Sequence, residues 1–214
     1  MRREKPIIGL CGGIGAGKTA VAREMERLGG LVIDSDSVNH QVLSRSDIIR
    51  TLREWWGDAV VGSDGALDRS TVAKIVFKDA IQRQRLESLV HPLILAIQED
   101  MITNGLRDPK VSAIILDSPL LYESNLDRHC DDVVFIEVNA SQRLQRLQES
   151  RNWDIEELRR RESSQLPLTE KRARSRFVIH NEGSIEQLRN QATKIFEQIR
   201  AEHSSDRDSD NALK

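Results

Sequence analysis

The sequence predicts an α/β fold: a five-stranded parallel sheet flanked by helices in three layers. Three observations carry that expectation. Short, nearly continuous apolar runs at residues 7–11, 31–33, 113–116, 132–138 and 177–179 have the composition of strands buried on both faces. Between the first two, Val21, Ala22, Met25 and Leu28 recur at helical spacing until Gly29-Gly30, so strand, glycine-rich turn, helix and strand make a βαβ unit. A chain of 214 residues has room for one such core and a modest insertion.

The insertion follows the second strand. Residues 37–110 far exceed a simple crossover of about a dozen residues, and their apolar positions (Ile48, Leu52, Val72, Leu86, Leu89, Leu93 among them) keep helical spacing. A polar, arginine- and glutamate-rich stretch, residues 141–175, suits exposed helices. Ser184-x-x-Gln187 resembles a capping box opening a last amphipathic helix through Leu188, Ala192, Ile195, Phe196 and Ile199. The expected organisation is a core of residues 1–36, 111–140 and 176–203, a helical domain at 37–110, a lid at 141–175 and a disordered polar tail at 204–214.

Composition excludes some classes. A net charge of -2 provides no strong footprint for nucleic acid or anionic membrane. Cys11 and Cys130 have neither disulfide-framework nor metal-ligand spacing and are expected as reduced thiols. No apolar run approaches the roughly 18 residues of a membrane span, and the apolar stretch near the start is too short for a signal-peptide core. The expectation is a soluble, cytoplasmic protein.

The chemistry-bearing motif lies between the first strand and helix: Gly12-Gly13-Ile14-Gly15-Ala16-Gly17-Lys18-Thr19, matching G-x-x-x-x-G-K-[ST]. Glycines let successive backbone N–H groups turn toward crowded negative charge, and the following helix adds its positive end. Lys18 is expected to reach the β- and γ-phosphates of ATP, and Thr19 to hold Mg²⁺ through its hydroxyl. With the strand before it and the helix after it, this predicts a P-loop nucleotide-binding fold.

Acids follow two strands. Asp34 and Asp36, two residues apart, would share a side if the strand persists, and a kinase acting on an alcohol needs one carboxylate to accept the hydroxyl proton and another anion near the metal. A turn or helix cap is the alternative. Asp117, after Ile114-Ile115-Leu116, is either a metal-binding acid of the hydrophobic-run-then-Asp form or an ordinary loop aspartate. The arginines of residues 143–176 are mostly expected as solvated surface paired with glutamates, with one or two serving on a lid that stabilises transition-state charge.

Taken in order, residues 9–19, Val32-Ile33-Asp34-Ser35-Asp36, His91-Pro92-Leu93-Ile94, Pro119-Leu120-Leu121-Tyr122-Glu123, Arg161 with Gln165, and Val178-Ile179-His180-Asn181 resemble the dephospho-CoA kinase family. The resemblance implies transfer of the ATP γ-phosphoryl group to the ribose 3′-hydroxyl of dephospho-CoA, in the last step of coenzyme A biosynthesis. It implies Asp36 as base, Arg151 and Arg161 as lid residues, and a nucleotide set of the eight loop residues with Ala20, and Asn181 near the adenine. On the acceptor side it implies Asp34, His40, Pro119 and Leu120. His91 is either near the acceptor or in packing, with Pro92 in a first helical turn. Between Asn139 and Arg151 the chain is about one residue short of the family spacing, which leaves Arg146 without a firm match. Cys11, His40 and Arg176 depart from the family's usual Thr, Arg and Asp. Beyond a small-molecule acceptor, the expected partners include no nucleic acid and no membrane, and the state is monomer or weak oligomer. The alternatives are another P-loop kinase of nucleoside, shikimate or gluconate type, or a non-catalytic nucleotide-binding regulator. The chain carries neither the Asp-x-x-Gly switch nor the Asn/Thr-Lys-x-Asp guanine motif of a GTPase.

Overall fold

The computed structural model describes residues 3–212, with side chains to Ser205. In chain order the first elements are β1 (Ile7–Gly12), α1 (Lys18–Arg27), β2 (Gly30–Asp34), α2 (Ser35–Leu43), α3 (Ser46–Trp56), α4 (Arg69–Lys78) and α5 (Ala80–Arg107). They are followed by β3 (Ala113–Asp117), β4 (Asp132–Glu137), α6 (Ala140–Arg151), α7 (Ile155–Glu162), α8 (Leu168–Ala173), β5 (Phe177–His180) and α9 (Ile185–Ala212). All five apolar runs form strands, within a residue or two of their expected ends.

The strands lie in the order β2-β3-β1-β4-β5, every pair parallel. Parallel sheets hide both faces under crossover helices, and β1 and β3 accordingly consist only of buried residues. One face packs on α1 and α9 through Ile8, Leu10, Val21, Met25, Ile115 and Phe196. Removing the ring of Phe196, which has no exposed surface, would cost about 3–5 kcal/mol.

The chain divides into two compact units, Met1–Asp34 with Ile102–Lys214, and Ser35–Met101. The division falls at 34/35 and 101/102, against the expected 36/37 and 110/111. The end of α5 belongs with the sheet because Gly105 allows close approach: a Cβ there would meet Ile114 Cδ1 at 2.5 Å and Leu31 Cδ2 at 2.6 Å. Helices α6, α7 and α8, the expected lid, also fall in the first unit.

The second unit is helical, as expected, around Val42, Ile48, Leu52, Val60, Val72 and Val90. Asp68 caps α4 by accepting from the backbone of Ser70 and Thr71 at 3.0 and 3.2 Å. Pro92 does not open a helix. It lies in the middle of α5, where its missing N–H leaves the Ser88 carbonyl without the usual helical donor.

One further expectation changes. The polar tail does not begin at residue 204: α9 continues to Ala212, and Ser204 and Ser205 return their hydroxyls to the carbonyls of Arg200 and Ala201, satisfying themselves within the helix. Residues 213–214 of that tail lie outside the described residues. At the other end of α9 the capping box is present in both directions, with Gln187 N donating to Ser184 Oγ at 3.2 Å and Ser184 N to Gln187 Oε1 at 2.9 Å.

Candidate active site

The phosphate loop leaves the carboxyl end of central β1, where ligands of open parallel sheets bind. Two glycines are required by geometry. Gly12 has φ +151°, and a Cβ there would lie 2.7 Å from the Ile136 carbonyl oxygen. Gly17, the residue before α1, has φ +92°, a left-handed conformation that L side chains rarely adopt. A Cβ on Gly17 would also overlap the Asn181 amide nitrogen.

Inside the loop Ala16 N donates to the Gly13 carbonyl at 3.0 Å, and Lys18 Nζ folds back to the Gly12 carbonyl at 3.4 Å. Thr19 stands exposed in the first turn of α1 and Ala20 is half-buried behind it. Asn181, buried just past β5, donates its amide to the Ala16 carbonyl at 2.7 Å and accepts from Arg146 Nη2 at 2.8 Å. Asn181 is therefore a brace of the loop, with Arg146 fixed beside it.

The acids separate. Asp34 ends β2, directly across from Asp117 at the end of β3, which is in turn across from Leu10 of β1. Both carboxylates thus occupy the carboxyl edge of the sheet in adjacent strands. Asp36 does not share a strand with Asp34. The strand ends at Asp34, and Asp36 is exposed in the first turn of α2, in the second unit. Period-two alternation does not relate the two; the N-terminus of α2 favours the Asp36 charge instead. His40, also exposed on α2, and His91, exposed on α5 beside Pro92, belong to that unit too.

Thr19, Asp34 and Asp117 provide hard oxygen donors, which suit Mg²⁺; that ion typically takes one or two carboxylates and completes its shell with water and nucleotide phosphates. Among the described residues no group of three or more His, Cys, Asp and Glu could hold a metal on its own. The donor set therefore fits a nucleotide-borne Mg²⁺ and not a protein-caged ion.

The arginines sort into distinct environments. Arg143, expected as surface, is buried: it pairs with Glu162 and donates to the Ile14 carbonyl of the loop at 3.3 Å. Arg151 and Arg161 are exposed and converge on one ring, their guanidinium carbons 5.1 and 4.2 Å from the centroid of Trp153. Arg161 Nε also donates to Glu157 at 2.6 Å, and this contact holds the Glu157 carboxyl below the usual carboxylate range.

Residues 6–187 match the dephospho-CoA kinase family. The chain belongs to that family. A dephospho-CoA kinase of Idiomarina loihiensis is 34% identical over 196 residues, covering 91% of this chain and 95% of its own length. The crystal structure of TT1252 from Thermus thermophilus is 31% identical with a TM-score of 0.77, covering 89% of this chain and 95% of its own. A dephospho-CoA kinase from Campylobacter jejuni, 23% identical, has the same fold at a TM-score of 0.63 over 91% and 97% of the two chains. The five-stranded parallel sheet flanked by helices is the P-loop kinase fold.

Two departures from the family pattern have a structural account. Arg176 pairs with Asp132 at 3.0 Å and Glu202 at 2.5 Å, joining the start of β4 to α9, so the reversed charge has partners of opposite sign. Burial pushes the Asp132 carboxyl up, and Arg176 opposes that push. Cys11 lies 3.3 Å from Ser175 Oγ, which also bonds the Tyr122 hydroxyl at 2.9 Å. Burial raises the Cys11 thiol and pushes the Tyr122 hydroxyl up to about 12.

One group escaped the sequence reading. Lys171, in the stretch expected as exposed helices, has no exposed surface and bonds Glu123 Oε1 at 2.8 Å, the Pro119 carbonyl at 3.1 Å and Gln165 Oε1 at 3.2 Å. Glu123 Oε1 also accepts from Leu166 N at 2.8 Å. The ammonium thus fastens the segment after Asp117 to the start of α8, while Leu120 remains exposed with its carbonyl accepting from Ser124 at 2.9 Å. No local periodicity marks Lys171. Its acceptor Pro119 is 52 residues away, and only the block from Pro119 to Glu123 hinted at a shared role.

Proposed function

We propose that this protein is an ATP-dependent dephospho-CoA kinase, which transfers the γ-phosphoryl group of ATP to the ribose 3′-hydroxyl of dephospho-CoA and releases CoA and ADP. The observation that carries the reading is the glycine-rich loop braced by Asn181 beside the Asp34–Asp117 pair, in a chain that matches the family over residues 6–187. The loop cradles the triphosphate between backbone donors and the start of α1, and Lys18 neutralises the β- and γ-phosphates. Mg²⁺, bound through Thr19 and the Asp117 carboxylate, would supply charge neutralisation on the transferred group. Asp36 takes the proton of the acceptor hydroxyl, and Asp34, His40, His91, Pro119 and Leu120 form the acceptor side. Arg151 and Arg161, on a lid of residues 141–175, stabilise charge on the transferring group.

We read the enzyme further as cytoplasmic and as a monomer or weak oligomer; among the described residues no helix is long and apolar enough to cross a membrane. A coupled ADP-release assay over candidate acceptors tests the assignment. Turnover with dephospho-CoA and none with shikimate, gluconate or nucleosides is expected. Turnover with a sugar acid or nucleoside and none with dephospho-CoA would overturn it.

A further inference from the structure

Trp153 sits in the two-residue-capped connection between α6 and α7, and its backbone has little freedom. Asn152 adopts the left-handed conformation at φ 54° and ends α6 with its N–H on the Gln148 carbonyl at 3.1 Å. Trp153 N then donates to the Leu147 carbonyl at 3.3 Å, and Asp154 opens α7 by accepting from Glu157 N at 2.8 Å. Leu147 is itself buried against the phosphate loop: a Cβ on Gly15 would meet its Cγ at 3.0 Å. The backbone of Trp153 is thus tied to that of Leu147, whose side chain packs on the loop, while the indole itself stands half-buried.

Two cations share this ring, Arg151 from the end of α6 and Arg161 from α7. Bringing like charges together on an exposed surface is unfavourable by itself, and a surface arginine needs only a carboxylate to be satisfied. The ring's negative face and Glu157 offset the repulsion. Stacking uses the face of a guanidinium and leaves N–H donors at its edge for phosphate oxygens. An exposed pair of guanidinium groups of this kind has the donors that phosphate oxygens accept from.

We propose that Trp153 is a positioning residue that holds Arg151 and Arg161 in the geometry they use on the transferring phosphoryl group. This rests on the assignment of those two arginines under the proposed function. Releasing one rotamer-rich side chain costs roughly two- to tenfold when it must be ordered again. Loss of the ring frees Arg151 and leaves Arg161 tied only to Glu157, so kcat should fall by about two- to tenfold while KM for the acceptor stays nearly unchanged.

The test compares kcat and KM of the full-length enzyme with Trp153→Leu, Trp153→Phe, Arg151→Ala and Arg161→Ala, and adds Trp153→Leu to an Arg151→Ala/Arg161→Ala background. Thermal melts accompany each variant. The expected result is a fall in kcat for Trp153→Leu, substantial recovery in Trp153→Phe, and less than a twofold further effect of Trp153→Leu once both arginines are gone. Unchanged kcat in Trp153→Leu, with kcat lowered in the arginine variants, overturns the positioning role and leaves the arginine assignment standing. A fall that persists undiminished in the arginine-free background marks a merely structural ring and also overturns it. If neither arginine variant changes kcat, or the wild-type enzyme does not turn over dephospho-CoA, the proposal falls with the reading beneath it.

Discussion

Replacing Lys171 with methionine keeps a long unbranched side chain in the same space and removes only the ammonium. Three acceptors lose their donor at once: Glu123 Oε1 at 2.8 Å, the Pro119 carbonyl at 3.1 Å and Gln165 Oε1 at 3.2 Å. Glu123 keeps the Leu166 N–H on Oε1, but its Oε2 is buried without a hydrogen-bond partner, so the carboxylate would be left largely uncompensated. Breaking one side of a buried pair costs about 3–5 kcal/mol. That is a large share of the 5–15 kcal/mol typical of a folded domain. At about 2–4 °C per kcal/mol for a chain of this size, the midpoint should fall by roughly 6–20 °C. Urea titration and thermal melts followed by circular dichroism would measure both. Lys171→Met combined with Glu123→Gln should recover at least half of the loss, because the uncompensated charge is gone while an acceptor for Leu166 N remains. A cost under about 1 kcal/mol for Lys171→Met, or a double variant no more stable than the single one, would refute this reasoning.

Asp36→Asn should lower kcat by about 10²- to 10⁴-fold, as expected for loss of a general base, with the Kd for ATP within about twofold of wild type by calorimetry, since the loop lies elsewhere in the chain. Gly17→Ala combines an unfavourable left-handed backbone with a Cβ that overlaps the Asn181 amide, so ATP binding should weaken by at least about tenfold; unaltered affinity would show that the loop does not need this shape. Glu24, buried on α1, is held below the usual carboxylate range first by its hydrogen bonds from Arg27, at 2.6 and 3.1 Å. A depressed folded-state value stabilises the protein above the unfolded value of about 4.3, and that contribution is lost as pH falls through the folded value. The melting temperature should therefore drop on acidification below that point, and Glu24→Gln should be less stable at pH 7 and less sensitive between pH 5 and 3; identical slopes would refute the role.

The strands, the phosphate loop and the capping box were legible because each is local: apolar runs, glycine spacing and i, i+3 chemistry are properties of neighbours in the chain. The acids were only half legible. Strand composition correctly put Asp34 and Asp117 at strand ends, but one residue more or less of strand decides whether Asp36 alternates with Asp34 or starts a helix, and α2 begins at Ser35. The cations were least legible. Arg143, Arg161, Lys171 and Arg176 look alike in a charged stretch, yet one lies buried under the loop, one stacks on Trp153, one is fully enclosed and one bridges β4 to α9.

By itself the sequence determined a parallel α/β core with a triphosphate loop, and its ordered motifs pointed to the family. Those features depend on backbone propensity and burial, which a short stretch of chain expresses alone. Only the tertiary structure decided which charges are braces and which face outward. A charged side chain's role depends on the partner that meets it and on how much water remains around the pair, and for Lys171 both are set by the segment 52 residues away that holds Pro119.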